Sequence, residues 1–223
     1  TIAETGTKLH ASAGTGAKAP TLYQLYAPTY GNSALSPEES LGYDAGIDQS
    51  LFGGRVVVSL TGFGNRFSNL IDFVIDTAHP LGHYVNVSRA ETDGLELGVN
   101  VDILPGLLRF NAAYTYLQAK DLSTGLTLAR RPENLARFSF PITPTKDWLI
   151  EPRVLAVSKR YSGSNQTLPL APYVRVDLYT EYKIDETWKV YLRGENIFNE
   201  HYQEVFNYGT TGPAAYAGFS AHW

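Results

Sequence analysis

The sequence contains no cysteine. A disulfide framework and a thiolate metal site are therefore excluded. Methionine is absent too, and the chain opens on Thr1. A primary translation product starts with Met, so the 223 residues are expected to be a processed, trimmed or partial chain. No secretory signal pattern is present. No run of about eighteen apolar residues occurs, which excludes a membrane-spanning helix. A membrane barrel stays open, because its signal per strand is far weaker. The net charge is only −4, which gives no case for a nucleic-acid partner or for attraction to an anionic membrane surface.

Catalytic patterns are also missing. Ser158, Ser162 and Ser164 lie near Tyr161, but there is no G-x-S-x-G, and His201 has no evident partner. Gly14-Thr15-Gly16-Ala17-Lys18 lacks the G-K-[ST] ending of a phosphate loop and follows a strand pattern without a helix. No catalytic residue and no cofactor is assigned, and the chain is read as not an enzyme. His79 and His83 could ligate a metal, but sequence offers them no third ligand; a solvated loop is preferred and no metal site is assigned. Glu38-Glu39 and Asp44 with Asp48 read as solvated charges rather than a cation site.

What the sequence does have is tyrosine and alternation. Aromatics make up 13%, with fifteen Tyr and three Trp. Amphipathic rings of this kind suit strand ends at a wet interface. Leu95, Leu97, Val99 and Val101 alternate with Gly94, Glu96, Gly98, Asn100 and Asp102. Leu108, Phe110, Ala112, Tyr114 and Tyr116 alternate with Arg109, Asn111, Ala113 and Thr115. Trp188, Val190, Leu192 and Gly194 alternate with Lys189, Tyr191, Arg193 and Glu195. Period-two patterning of this kind predicts strands with one apolar and one polar face. The same pattern recurs about ten times along the chain.

The connections alternate in length. Long ones centre on 14–38, 76–83, 120–130, 158–170 and 199–212; short ones centre on 51–54, 104–106, 143–147 and 183–187. The predicted fold is all-β: an antiparallel up-and-down transmembrane β-barrel, about ten strands of which are present, forming part of a larger barrel. The apolar face meets lipid and the polar face lines a lumen. A small soluble barrel would fill its interior with apolar side chains. Here the inward face carries Glu96, Arg175, Asp177, Glu181, Lys189, Arg193 and Glu195, with opposite charges on adjacent strands. Tyr43, Tyr114, Tyr116, Trp148, Tyr182, Trp188 and Trp223 are expected in membrane girdles. Tyr23, Tyr26, Tyr30, Tyr84, Tyr161 and Tyr208 fall in or beside the long loops and are the candidate ligand-binding residues.

The C-terminal stretch resembles the end of a TonB-dependent outer-membrane receptor. It carries Asn196-Ile197-Phe198-Asn199, Tyr202, Asn207-Tyr208-Gly209, Gly212 and a last strand ending in Trp223. Ile197 replaces the usual Leu, and Pro213 stands where relatives have Arg. Further matches are A-K-A-P-T-L-Y-Q-L-Y at 17–26, L-x-P-E-x-S in Leu35, Pro37, Glu38 and Ser40, and the motif of Tyr84, Asn86, Ala90, Gly94 and Glu96. With R-F-S-N-L-I-D and A-R-R-P-E-N, the pattern looks most like the cobalamin (vitamin B12) receptor branch.

This resemblance implies a bacterial outer-membrane location and energy-dependent uptake of cobalamin; the alternatives are a ferric siderophore receptor or a complete passive ten-stranded pore. Residues 1–223 would be the C-terminal portion of the barrel, with the plug domain and TonB box absent. The implied partners are a small molecule (corrinoid or ferric siderophore), outer-membrane lipid, and the inner-membrane TonB complex through the missing N-terminal region. A bacterial source makes the Asn86-Val87-Ser88 and Asn165-Gln166-Thr167 glycosylation patterns moot.

Overall fold

A computed structural model describes residues 2–163 and 166–222, with the side chains of all but Val87 and Ser88. Ser164, Asn165 and Trp223, named above for hydrolase, glycosylation and girdle roles, lie outside the described residues, as does the Ser88 side chain.

The alternating segments form the strands β1 (Thr7–Lys18), β2 (Glu38–Leu51), β3 (Val56–Val74), β4 (His83–Leu104) and β5 (Leu108–Asp121). The series continues with β6 (Asn134–Ser139), β7 (Ile142–Thr145), β8 (Trp148–Val157), β9 (Arg160–Tyr161) and β10 (Pro169–Leu170). It ends with β11 (Tyr173–Lys183), β12 (Trp188–Glu195) and β13 (Ala214–Ala221). Eleven strands make one antiparallel sheet in the order β1-β2-β3-β4-β5-β6-β8-β11-β12-β13, with β7 also between β5 and β8. Phe140 and Pro141 separate β6 from β7. Pro has no amide proton to give the ladder, so one stave is interrupted. The ten expected staves are therefore present.

Strict sequence-order pairing makes this an up-and-down meander. Its connections alternate as expected: 19–37, 75–82, 122–133, 158–172 and 196–213 are long, while 52–55, 105–107, 146–147 and 184–187 are short. Two details of the sequence reading change. First, β1 continues to Lys18, pairing Gly16 with Ser40 and Lys18 with Glu38, so the first long loop starts later than Gly16. Second, that loop contains a short helix, α1 (Leu22–Tyr26). Thr21 accepts from the Gln24 amide and the Gln24 side chain accepts from the Thr21 amide, a capping box.

Buried apolar side chains are few: Leu35, Ala90, Ala119, Val157, Leu170 and Tyr173. The apolar face points outward instead, with Leu95 50% and Phe219 69% exposed. Such a sheet has its backbone satisfied by ladders and its apolar side chains left for lipid. Aromatic residues gather at both ends of this face. At the short-turn end the Trp188 ring lies 5.7 Å from Phe219, and Trp148 donates to Thr180 Oγ1 at 2.9 Å. At the long-loop end the Tyr114 hydroxyl donates to Asn134 at 2.6 Å, and Arg66 sits 5.9 Å from the Tyr43 ring. Arg66 also pairs with Asp93 at 3.0 Å and Glu91 at 3.5 Å on that outward face. A run of paired charges there marks where lipid gives way to water.

Candidate functional site

Two regions carry polar or aromatic chemistry. On the inward face, strand alternation brings Asn100, Asn111, Arg137, Arg153, Asp177 and Arg193 around one cavity of about 610 Å³. The charges are matched almost pair by pair. Arg175 meets Asp177 at 2.9 Å, Arg193 meets Glu195 at 3.2 Å, and Lys189 crosses to Glu181 at 3.2 Å. Arg153 and Glu151 add a 2.6 Å pair from β8. Arg153 stacks 5.1 Å from the Tyr179 ring and Arg193 4.6 Å from Tyr216. Six of the seven inward charges expected from sequence are thus paired on β11 and β12: Arg175, Asp177, Arg193 and Glu195 line this cavity, and Glu181 with Lys189 lie farther toward the short turns. The seventh, Glu96, lies on β4 opposite Thr61 and Thr115, apart from them. Sequence alternation located the face; it could not assign the partners, and it did not single out Arg137, Glu151 or Arg153 as part of the ladder.

Three acidic residues nearer the first stave, Glu38, Asp44 and Asp48, are engaged by side chains of β1. Lys18 holds Glu38 at 2.9 Å and Lys8 holds Asp48 at 3.2 Å; Ser12 donates to Asp44.

The second region is the long-loop end of β3 and β4. Asn32 Nδ2 donates to the Tyr84 carbonyl at 2.9 Å, and the Tyr84 amide donates to the Tyr30 carbonyl at 3.1 Å. The Ser36 amide donates to Asn86 Oδ1 at 2.9 Å, and Asn86 Nδ2 returns a bond to the Ser36 carbonyl at 3.1 Å. The L-x-P-E-x-S stretch is thereby zipped onto the Tyr84–Glu96 motif, although some fifty residues separate them. This clamp brings Tyr23, Tyr30 and Tyr84 together around Phe73. Ring centroids are 6.3 Å apart for Tyr23–Tyr84, 5.6 Å for Tyr30–Phe73 and 5.2 Å for Phe73–Tyr84. All three pairs are edge-on, the arrangement aromatic quadrupoles favour. Tyr23 keeps 60% of its surface exposed, so the cluster presents a free ring.

Tyr26 and Tyr208 do not join it; they are 67% and 70% exposed. Tyr161 belongs to β9, where its carbonyl accepts from the Arg130 amide at 2.7 Å. The loops of the later staves are organised by a different hub. Tyr202 stacks on Tyr173 at 4.1 Å, and its hydroxyl accepts from Arg175 at 3.1 Å. Arg160, buried, lies 5.4 Å from the Tyr173 ring and donates to the Gln203 carbonyl at 2.9 Å. Ser158 accepts from the Asn134 amide and Ser162 from the Phe206 amide, each at 3.0 Å. These serines staple loops, which is the bland alternative to a nucleophile. Phe73, Arg160 and Tyr173 were not singled out by sequence, because each acts through contacts distant in the chain.

A profile of the family described as "TonB dependent receptor-like, beta-barrel" matches residues 3–197. The chain belongs to this family, and it is a barrel segment of the bacterial outer membrane. Among curated proteins it is 32% identical over 207 residues to the vitamin B12 transporter BtuB of Photobacterium profundum. That match covers 90% of this chain and 33% of the relative, so the chain spans about a third of the relative's length. Among solved structures, the copper transporter OprC superposes with a TM-score of 0.83 at 17% identity, covering 99% of this chain and 38% of that one. A ferric enterobactin receptor (PfeA) mutant from Pseudomonas aeruginosa gives 0.75 at 22%, covering 99% and 38%. These two likenesses concern the fold.

Proposed function

We propose that the chain forms the C-terminal staves of an outer-membrane receptor that takes up a corrinoid with energy delivered through TonB. The observation that carries this reading is the 32% identity to a vitamin B12 transporter across 90% of the chain. The architecture supports it. The sheet has β1 and β13 as its two edges among the described residues, which fits ten staves of a larger barrel. The inward wall is polar and charge-paired, which suits contact with a polar plug rather than a dry core. The plug and the TonB-contacting segment belong, on this reading, to a part of the receptor outside these residues.

Tyr23, Tyr30 and Tyr84 are the best-placed candidates to meet the cargo, since the loop clamp gathers them beside a free ring face. Aromatic anchors of this kind supply large contact area at small entropic cost. Titration of the intact receptor with cyanocobalamin and with ferric enterobactin tests the reading. Saturable binding of the corrinoid, weakened when Tyr84 is replaced by Ala, is expected. Binding of the ferric chelate alone sinks it in favour of a siderophore receptor.

A further inference from the structure

A cluster at the tip of the β3–β4 loop carries chemistry that uptake of a corrinoid does not use. Asp76 lies just beyond β3, His79 is in the loop, and His83 begins β4. The His79 amide donates to Asp76 Oδ1 at 2.7 Å, and His79 Nδ1 is 3.2 Å from the same oxygen. His83 Nδ1 faces the other oxygen, Oδ2, at 3.8 Å, beyond hydrogen-bond reach. The two imidazoles stack, with centroids 3.7 Å apart and planes 29° from parallel. One ligand atom from each of the three residues lies within 4.8 Å of the others. His83 Nδ1 is buried and has no hydrogen-bond partner. A buried ring nitrogen in that state lacks the compensation that folded proteins almost always supply.

The scaffold under the cluster is fixed on one side and adjustable on the other. His83 pairs with Val74 in the last rung of the β3–β4 ladder. The Gly82 amide donates to the His79 carbonyl at 2.9 Å, closing the turn. His79 and Asp76 side chains are 51% and 42% exposed, whereas His83 is 16% exposed. One ligand is therefore set and two can swing.

We propose that Asp76, His79 and His83 form a binding site for a borderline divalent transition-metal ion such as Zn2+ or Cu2+. Two imidazole nitrogens and one carboxylate suit these ions, while Ca2+ and Mg2+ take oxygen-rich sets. Bonds of about 2.0–2.1 Å need ligand atoms roughly 3.4 Å apart in a tetrahedral site. His79 Nδ1 and Asp76 Oδ1, 3.2 Å apart, already meet that spacing, while His83 Nδ1 lies farther off, 3.8 Å from Oδ2, and the stacking holds the two rings side by side. Binding thus requires His79 to unstack and swing inward, which its exposure permits. Three protein ligands leave a coordination position for water or for a donor on an incoming molecule.

The test uses the intact receptor in detergent, stripped with chelator and titrated with Zn2+ by calorimetry and with Cu2+ by electron paramagnetic resonance. The expected result is one ion per receptor lost on substitution of this cluster, and a Cu2+ spectrum split by two nitrogens. His83→Ala and His79→Ala should each weaken binding by at least about tenfold. If His83→Ala does not fold, His79→Ala suffices, because that ring is half exposed and removes little packing. No binding, binding indifferent to the His79 variant, a spectrum without imidazole nitrogen, or displacement by equimolar Ca2+ would overturn the proposal. The readout needs no corrinoid, so it stands or falls separately from the uptake reading.

Discussion

The Asp177 carboxylate accepts the backbone amide of Asn196 on one oxygen, at 2.8 Å, and the Arg175 guanidinium on the other, at 2.9 Å. One inward carboxylate therefore joins the charge ladder to the start of the loop after β12. Asn196 completes the joint. It is 2% exposed, holds φ at +50°, and its side chain bonds Glu200 through both its oxygen and its nitrogen. Asn tolerates the left-handed region better than other non-Gly residues.

Replacing Asn196 by Ala leaves the Glu200 amide and carbonyl without these partners and keeps the unfavourable φ. A loss of about 2–4 kcal/mol is expected from the unsatisfied groups and the backbone strain. Thermal unfolding in detergent, followed by the band shift between folded and heated barrel on gels, checks it. An unchanged midpoint would rule out Asn196 as the loop's anchor.

Gly82 has φ +89°, and a Cβ there would clash with the Phe73 ring. Gly82→Ala should push Phe73 out of its contacts with Tyr30 and Tyr84, with a backbone penalty of about 1–3 kcal/mol. The tyrosine cluster then loosens, and cargo affinity should fall by about tenfold. Affinity equal to the parent's, measured by titration, would separate the cluster from recognition.

Leu97 and Glu96 are neighbours on β4 with opposite faces. Leu97→Arg puts a charge into lipid and should destabilise by about 2–4 kcal/mol if near the midplane. Glu96→Arg faces the lumen and should change stability by under about 1 kcal/mol. Denaturant unfolding in lipid vesicles gives both values. Equal losses would mean that the faces are assigned wrongly.

The His79 backbone amide, first among several groups, holds the Asp76 carboxyl below its usual range. A depressed folded value stabilises the loop above the unfolded value of about 3.9. That contribution is lost as pH falls through the folded value. Hydrogen exchange of the His79 amide should stay slow down to pH ~4 and speed up below it. Early loss of protection, already at pH ~6, would contradict this.

The sequence alone settled the faces, the staves and their connections. Alternation is local: once Leu95, Leu97 and Val99 face lipid, Glu96 and Gly98 must face inward, whatever the rest of the chain does. The motifs at Tyr84–Glu96 and Asn196–Asn199 likewise carried the family by themselves. The capping box of Thr21 and Gln24 was equally local, yet it was hidden inside a stretch read as loop. What only the tertiary structure decided is which distant groups meet. Asn86 clamps Ser36, and Tyr84 joins Tyr23 and Tyr30 while Tyr26 and Tyr208 stay apart. These contacts depend on loop paths and ring orientations, which are set by packing between segments some fifty to sixty residues apart. No period in the sequence encodes them.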